Sequence, residues 1–365
     1  MLKVQEFCRT NDNWRELLAA APYCLKITEE NGLVIFKYNQ IESDFSNPIV
    51  CECRGLILEV DTFNVVAMAF KKFFNAGESY AAKIDWDSAV VSQKEDGSLM
   101  KVFFYEDSWK VATNGTIDAL NANLNNMGYN NFRELFDAAE KNCGLDYDRF
   151  DPNYTYVFEL CGKANQIVVP YEEPKLYHLA TVNNATLEEI NVDIGIEKPK
   201  EYKISSLAAC QELVSNWGCD KEGVVVRDKF NNRIKVKGAS YIRAHHMVNN
   251  YAVNIERALN IILENETSEF LSYFPQYREY FQTITYALNM LKEDITLEIT
   301  RAKFEKSLLE KRSVDNIRKE FAVAAKKSRY STVWFKSFDN VGYNVNDFIN
   351  ELRVEKLAEL LNIYI

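Results

Sequence analysis

The spacing of hydrophobic positions changes near residue 240 of the chain. Before it, short apolar runs such as "GLILEV", "SLMKVFF", "YTYVFEL", "QIVVPY" and "GVVVRD" are separated by turn residues. Such runs are typical of strands in antiparallel or mixed sheets. After it, apolar residues recur three and four positions apart among charged ones, which predicts helices, and the same spacing marks 12–20 and 118–142. The pattern predicts an α+β protein in which a sheet-rich part precedes an all-α part.

The distribution of glycine indicates where these parts meet. All but one of the 13 glycines lie at or before Gly238, and Pro275 is the only proline after it. Long segments without glycine or proline favour helices, because both residues destabilise a helix interior. We therefore predict one domain at 1–242 and a second, all-helical domain at 243–365.

Composition and charge narrow the classes of protein. With 365 residues and 47% hydrophobic content, the chain can form one large or two ordinary domains. Its first residues lack a basic start followed by an apolar run, and no stretch reaches the ~18 apolar residues that a membrane span needs. A net charge of −10 argues against binding nucleic acid through bulk charge, although a local basic groove remains open.

The cysteines indicate the redox compartment. Eight cysteines without a C-x-x-C pair, together with only three histidines, argue against a zinc site. Free thiols are typical of a reducing compartment. We therefore expect a cytoplasmic protein that is neither exported nor inserted in a membrane.

The stretch "KEDGS", residues 94–98, places Lys94 on a corner between two apolar runs. A lysine amine has an ordinary pKa of about 10.4, so it is a good nucleophile at neutral pH only when burial or nearby cations disfavour the ammonium form. Without such neighbours, Lys94 is a charged hairpin corner that favours solubility. The chemical interpretation therefore requires further cations around it.

Two later stretches supply candidate partners. In "NRIKVKG", Lys235 and Lys237 share one face of a strand, as they also would in an exposed amphipathic strand. Glu222 comes directly before "GVVV", one hairpin from these lysines, and Glu159 interrupts the apolar run "YVFEL". Carboxylates near a phosphate could hold a divalent cation, which prefers oxygen ligands. Each stretch taken alone is also ordinary turn or edge chemistry.

The order of these motifs resembles that of a known superfamily. "ECRGLILE", "KKFFN", "KEDGS", "VFEL", "KEGVVV" and "RIKVKG" follow one another as in the covalent nucleotidyltransferases, which include DNA ligases, RNA ligases and capping enzymes. "CRG", "KFFN", "KEDGSL", "NQIVVPY" and the K-x-K followed by "YIRAH" resemble the phage RNA ligases of the first type, which repair tRNA. The resemblance covers about residues 36–246.

The resemblance implies a fold, a reaction and a set of site residues. The domain at 1–242 would be an adenylyltransferase with an ATP-grasp-like ligase fold, and RNA or tRNA recognition is a candidate role for the helical domain. The cofactors would be ATP and Mg²⁺ or Mn²⁺. The implied catalytic residues are Lys94, Lys235 and Lys237. Of these, Lys94 would carry AMP. The implied nucleotide-binding residues are Tyr38, Arg54, Lys72, Gly97, Glu159 and Glu222, of which Glu159 and Glu222 would also hold the metal.

Two departures from the family pattern remove positive charge. Asn114, in "TNG", stands where a lysine is usual, and Gln166, in "NQIV", stands where an arginine is common. Lys101 or Lys110 could compensate. Among the histidines, His178 is expected to be a strand residue with a satisfied hydrogen bond, whereas His245 and His246 could serve either packing or RNA contact.

The implied reaction is ATP-dependent joining of an RNA 5′-phosphate to an RNA 3′-hydroxyl. Cleaved tRNA is a candidate substrate, and by analogy with the family an end-healing kinase and phosphatase is a partner. We expect the protein to be a monomer in the cytoplasm. If a phage encodes it, this would be the cytoplasm of the host cell. One alternative is another ligase or capping enzyme of the same superfamily, which would normally carry an OB-fold after the lysine strand. The other is a catalytically impaired RNA-binding module on the same fold.

Overall fold

The computed structural model describes residues 1–40, 42–242, 254–263, 267–273, 275–312 and 316–364. The chain divides into two compact units, Met1–Tyr251 and Ala252–Ile365. The first unit is built mainly from sheets, and the described part of the second is helical. The predicted α+β class and the change to helices are therefore confirmed.

The elements of the first unit begin and end as follows. The strands are β1 (Leu25–Glu30), β2 (Leu33–Tyr38), β3 (Arg54–Glu59), β4 (Val65–Ala67), β5 (Phe74–Asn75), β6 (Val90–Lys94), β7 (Ser98–Tyr105), β8 (Ser108–Thr113), β9 (Asn123–Asn126), β10 (Tyr129–Asn131), β11 (Tyr154–Cys161), β12 (Lys175–Asn183), β13 (Glu189–Ile190), β14 (Glu201–Tyr202), β15 (Gly223–Arg227) and β16 (Arg233–Lys237). The helices are α1 (Lys3–Thr10), α2 (Trp14–Ala19), α3 (Pro48–Glu52), α4 (Phe132–Cys143) and α5 (Leu207–Ser215).

These strands form three larger sheets and a small ribbon of β9 and β10. The first sheet has the order β1-β2-β3-β4, and the second has the order β13-β12-β11-β7-β8. The third has the order β14-β6-β15-β16-β5, in which β16 and β5 are parallel and the other neighbours antiparallel. Antiparallel and mixed sheets are thus both present, as predicted.

Alternating side chains give the third sheet one apolar face. Val91, Val224 and Val236 are buried in a cluster with Cys210 and Val214 of α5. Burying aliphatic side chains of this size is favourable by about 1.5–3 kcal/mol each. The alternate residues of β16, which include both lysines of "RIKVKG", therefore lie on the other face of the sheet.

Two expectations about local structure were wrong. The helix predicted over 118–142 begins only at Phe132, because the preceding segment is rich in asparagine, which competes for backbone hydrogen bonds, and forms a 3₁₀ turn and the β9–β10 ribbon. The Asn131 side chain caps this helix by accepting a hydrogen bond from the Glu134 backbone N–H. The run "QIVVPY" is a loop rather than a strand, because two of its amides bind a carboxylate described below.

The second unit contains helices whose buried side chains follow the predicted spacing. Its longest helix buries Phe281, Ile284, Leu288, Leu291 and Ile295, which lie three or four residues apart. Among the described residues, no helix is both long and apolar enough to cross a membrane. The helices are α6 (Ile255–Leu263), α7 (Thr267–Tyr273), α8 (Arg278–Lys311), α9 (Ile317–Ala325), α10 (Ser331–Asp339), α11 (Val345–Glu351) and α12 (Val354–Leu361).

Candidate active site

Three strands of the third sheet bring the two distant lysine motifs together. Lys94, the last residue of β6, pairs in register with Gly223 of β15, and Gly223 pairs on its other side with Lys237 of β16. Residues opposite one another in a sheet project to the same face. Lys94 and Lys237 therefore stand on either side of a residue that has no side chain.

The Glu222 carboxylate fills the space between these two lysines. Its Oε2 lies 2.6 Å from Lys94 Nζ, and its Oε1 lies 2.6 Å from Lys237 Nζ. The side chain of Glu222 is 3% exposed, that of Lys237 7% and that of Lys94 23%. A nearly buried carboxylate with a cation on each oxygen makes two charge-assisted contacts, which are stronger than contacts between neutral groups.

The protonation state of Lys94 follows from these neighbours. Burial, the largest single influence, lowers the pKa of Lys94, and the positive charge of Lys237 lowers it further. The charge and hydrogen bond of Glu222, with the charge of Glu159, outweigh both, so the pKa is raised above its ordinary value. Lys94 is therefore an ammonium group here, and it becomes nucleophilic only when Glu222 no longer pairs with it.

Glu159 faces the same region from the second sheet. It lies in β11, opposite Leu99 of β7 and Tyr177 of β12. Burial raises the pKa of Glu159 to about 7, while the positive charge of Lys94 opposes this rise and the negative charge of Glu222 adds to it. Its carboxylate forms no hydrogen bond or ion pair with another described residue, which leaves its oxygens available to a ligand.

The remaining cations predicted from the sequence lie around aromatic rings. Arg54 Cζ lies 5.4 Å from the centre of the Phe73 ring, and Lys235 Nζ lies 5.9 Å from the centre of the same ring. Lys72 Nζ lies 5.2 Å from the Tyr38 ring centre. Cations over aromatic faces are held by the ring quadrupole. The structure thus groups Arg54 with Lys235, and Tyr38 with Lys72.

Gly97 is required by a close backbone contact rather than by a positive φ. A Cβ atom on Gly97 would lie 2.4 Å from the Leu160 carbonyl oxygen of β11. Any side chain there would push β11, which carries Glu159, away from the Lys94 corner. The predicted contact of Gly97 with a nucleotide stays a prediction.

The sequence reasoning gave no role to Asp96, although it is part of "KEDGS". Asp96 is buried, and its Oδ2 accepts hydrogen bonds from the backbone N–H groups of Val168 (2.9 Å) and Val169 (2.7 Å). Its Oδ1 accepts a hydrogen bond from the Tyr241 hydroxyl at 2.8 Å. This carboxylate therefore joins the Lys94 corner to the loop "QIVVPY" and to the segment after β16. The K-x-D-G pattern itself was the signal that could have found it.

Gln166 and Asn114, the two residues that depart from the family pattern, both lie near the residues described above. Gln166 Nε2 donates a hydrogen bond to the Val168 carbonyl at 3.2 Å, within the loop that Asp96 holds. Asn114 Oδ1 is buried and has no hydrogen-bond partner within the described part of the chain.

The histidines are accounted for as far as the structure describes them. His178 is buried in β12, and its Nε2 makes a hydrogen bond of 2.9 Å with the Thr181 hydroxyl, as expected for a strand residue. Its Nδ1 is buried, and no described residue makes a hydrogen bond with it by distance and angle. His245 and His246 lie outside the described residues.

The side chains present suit a divalent cation bound mainly by oxygen. Within the described ranges, no group of three or more His, Cys, Asp or Glu side chains is arranged to hold a metal ion. Mg²⁺ commonly uses one or two carboxylates and completes its shell with water and phosphate oxygens. Glu159, whose carboxylate has no partner among the described residues, and Glu222 fit such a site.

Comparison with known proteins identifies the family of this chain. A family model described as RNA ligase matches residues 52–242, slightly more than half of the chain. The chain belongs to the RNA ligase family. The matched region contains Arg54, Lys94, Glu159, Glu222 and Lys237, whereas Tyr38 lies before it. The family resemblance stated from the motifs is therefore confirmed.

Individual relatives include viral and bacterial proteins. A candidate bifunctional polynucleotide kinase/RNA ligase of Autographa californica nuclear polyhedrosis virus is 30% identical over 294 residues, 75% of this chain and 42% of that protein. A candidate RNA ligase of Thermovibrio ammonificans is 24% identical over 265 residues, 68% of this chain and 67% of that protein. The chain thus spans less than half of the viral relative.

Among solved structures, an archaeal ATP-dependent RNA ligase is similar to this chain. It has 14% sequence identity and a TM-score of 0.46, over 77% of this chain and 72% of that one.

Proposed function

We propose that this protein is an ATP-dependent RNA ligase that joins RNA 5′-phosphate and 3′-hydroxyl ends through AMP carried on Lys94. The observation that carries the proposal is the chain of ion pairs Lys94–Glu222–Lys237 at adjoining strand positions, inside the region that matches the RNA ligase family. The same geometry supports Lys94 as the nucleophile, with Lys235 and Lys237 as neighbouring cations.

In the first step, the Lys94 amine attacks the α-phosphorus of ATP. The ammonium gives up one proton before attack and a second as the N–P bond forms, and the bond from the α-phosphorus to the leaving pyrophosphate breaks. Negative charge grows on the phosphoryl oxygens and on the leaving group. Lys235, Lys237 and Arg54 are the cations proposed to stabilise that charge.

Two further steps seal the RNA. An oxygen of the RNA 5′-phosphate attacks the phosphorus of the lysyl-AMP, the N–P bond breaks and the lysine recovers its protons. The RNA 3′-hydroxyl then attacks the activated 5′-phosphate, loses its proton and displaces AMP. Lys94 is free again at the end, so each turnover consumes one ATP.

Glu222 would control when Lys94 reacts. While its carboxylate pairs with Lys94, the amine stays protonated, so the pairing must be broken before attack. A bound Mg²⁺ or Mn²⁺, held by Glu159 and Glu222, would supply Lewis-acid stabilisation of phosphate charge. Tyr38, Arg54, Lys72 and Gly97 are proposed to contact the nucleotide.

The finer architecture is also part of the proposal. We assign a nucleotidyltransferase fold of the ATP-grasp-like ligase type and adenylyl transfer to residues 1–242, and RNA or tRNA recognition to residues 243–365. The family match, which ends at residue 242, supports the first assignment.

Partners and location follow from the substrate. The substrate would be RNA with 5′-phosphate and 3′-hydroxyl ends, including cleaved tRNA. An end-healing kinase and phosphatase would produce these ends. The baculovirus relative supports this partnership, because its name combines a polynucleotide kinase with an RNA ligase. We propose a monomer in the cytoplasm, that of the host if a phage encodes it. All eight cysteines lie in the described residues as free thiols, in keeping with a reducing compartment.

Labelled ATP tests the proposal. The protein is incubated with Mg²⁺ and ATP labelled at the α-phosphate, and then with 5′-phosphorylated single-stranded RNA or DNA. We expect label on wild type and on the Lys198→Ala control, a change at an exposed lysine, but not on Lys94→Ala. The label should leave as RNA is joined.

Other outcomes identify the alternatives. Joining of DNA in preference to RNA would indicate another polynucleotide ligase. RNA binding with no adduct under either Mg²⁺ or Mn²⁺ would indicate a catalytically impaired RNA-binding module and would overturn the proposal.

A further inference from the structure

Lys101 is a fully buried lysine that the reaction described above does not use. It lies in the middle of β7, between Met100 and Val102, and its side chain has no exposed surface. Its amine donates a hydrogen bond to the Gly55 carbonyl oxygen, directly after Arg54 in the chain. Fully buried lysines are rare because desolvating an ammonium group is costly. This position therefore calls for an explanation beyond packing.

The strand register places this amine on the face of the second sheet that carries Glu159. Lys101 is opposite Val157 of β11, and Glu159 is two residues further along that strand. On the other side, Lys101 is opposite Ala112 of β8, two residues before Asn114. Alternate residues of a strand share a face, so the Lys101 side chain extends from the Glu159 face.

Three cations converge where Lys101 meets the first sheet. Lys37 of β2 pairs in register with Arg54 of β3. Burial, the largest influence, and the charges of Arg54 and Lys37 together lower the pKa of Lys101 to about 7. Like charges repel each other, and this repulsion favours binding of an anion among them.

Two buried polar atoms in this cluster have no hydrogen-bond partner among the residues that the structure describes. They are Arg54 Nη1, a donor, and Asn114 Oδ1. A Cβ atom on Gly55 would lie 2.7 Å from Asn114 Oδ1 and 3.1 Å from Lys101 Nζ, so the amide and the amine meet over Gly55. Buried polar groups are nearly always satisfied in a working state. The unpartnered Arg54 nitrogen thus indicates that a ligand with acceptor oxygens completes the cluster.

We propose that Lys101 is a positioning residue of the nucleotide site. Its amine holds the backbone at Gly55, and with Lys37 it keeps the Arg54 guanidinium directed at a phosphate oxygen of ATP. The proposal rests on the proposed function, because ATP supplies the anion. Lys101 touches the Gly55 backbone and acts on the nucleotide through Arg54.

Lys101→Met tests this role, because methionine fills a similar volume without the amine. Formation of the AMP adduct is measured against ATP concentration in Mg²⁺. We expect the ATP concentration for half-maximal rate to rise about tenfold or more, as when a hydrogen bond to a charged group is lost, and the rate at saturating ATP to change little. The control is Lys141→Met, at an exposed lysine of α4, which should behave as wild type.

A second variant keeps the test informative if Lys101→Met destabilises the fold. Lys101→Met is combined with Asn114→Lys, which returns an amine to the space over Gly55, and thermal melting is recorded for each protein. Recovery of the ATP dependence by the double variant supports positioning even if Lys101→Met alone is unstable. Wild-type ATP dependence of Lys101→Met, or no recovery in a folded double variant, would overturn the proposal.

The failure of the two proposals can be told apart. If wild type forms no adduct, the proposed function fails, and calorimetric binding of Mg²⁺ and ATP to wild type and Lys101→Met replaces the rate measurement. A tenfold loss of affinity in the variant still supports the positioning role. Equal binding, or no binding by wild type, overturns it.

Discussion

At the scale of single residues, the structure changes the meaning of the lysine motif. The sequence suggested that nearby cations make Lys94 reactive, and Lys237 does lower its pKa, but Glu222 outweighs that effect. The three residues could be selected from the motif order. Their pairing could not, because it depends on the register of β6, β15 and β16, which are far apart in the chain.

Lys101 shows a different limit of the sequence. In "SLMKVFF" it reads as a polar position of a strand that alternates imperfectly, and its burial becomes visible only when β3 is placed above β7. A buried cation in an apolar run was the available signal. Which carbonyl it binds follows from tertiary packing alone.

His178 makes stability depend on pH in a defined window. Burial, the largest influence, and the positive charge of Lys198 lower its pKa to about 4, from about 6.5 in an unfolded chain. As the pH falls from about 6.5 to about 4, the unfolded chain binds a proton that the folded protein does not. We expect the free energy of unfolding to fall by about 3 kcal/mol across that window through this residue.

Urea unfolding of wild type and His178→Gln from pH 7.5 to 4 measures this effect. The difference in the free energy of unfolding between the two proteins should change below pH 6.5 and be constant above it. The carboxylates titrate in both proteins, so their effect cancels in this difference and the effect of His178 remains. A constant difference throughout would show that His178 is protonated at the same pH in the folded and unfolded states.

At the scale of elements, loops proved harder to predict than strands and helices. The runs assigned to β3, β7, β11 and β15 were found where the alternation placed them, because burial of one face fixes a strand. "QIVVPY" has the composition of a strand but is held as a loop by Asp96, a residue about seventy positions earlier. Local pattern carries no information about such a distant acceptor.

Asp96→Asn should loosen this loop selectively. Asparagine has a similar size, but it replaces a charged acceptor of two backbone amides with a neutral one, and charged acceptors form the stronger hydrogen bonds. We expect hydrogen exchange at the amides of Val168 and Val169 to accelerate about tenfold or more, while amides of β11 keep their protection. The matched control is Asp193→Asn, an exposed aspartate. Unchanged exchange in the loop would show that other contacts hold it.

At the scale of the whole molecule, the sequence predicts the role of the first unit better than that of the second. Residues 52–242 match the RNA ligase family, and the groups discussed as the active site lie in the first unit. The helices of the second unit were predictable from spacing, since buried residues of α8 recur every three or four positions. Its role was not, because an amphipathic helix is compatible with many partners.

A chain that ends at residue 242 separates the two proposed roles. It retains Lys94, Glu222, Lys237 and the Tyr241 hydroxyl that binds Asp96. We expect it to form the AMP adduct at a rate within about threefold of the full chain, and to join RNA at least about tenfold more slowly, since binding energy from a recognition surface is lost. Labelled ATP and a nicked RNA measure the two activities. Equal joining by both proteins would remove RNA recognition from the second unit.

The pairing of Glu222 with two lysines also has a consequence for the order of events at this site. Before reaction, two ammonium groups and one carboxylate leave a local excess of positive charge, which favours an incoming polyphosphate. Attachment of AMP removes the charge of one ammonium and adds that of a phosphate, so the site becomes less positive. A second nucleotide would then be attracted less strongly, and the loaded protein would bind an acceptor mainly through other contacts. The charge at this site would thus differ between the free protein and the protein that carries AMP.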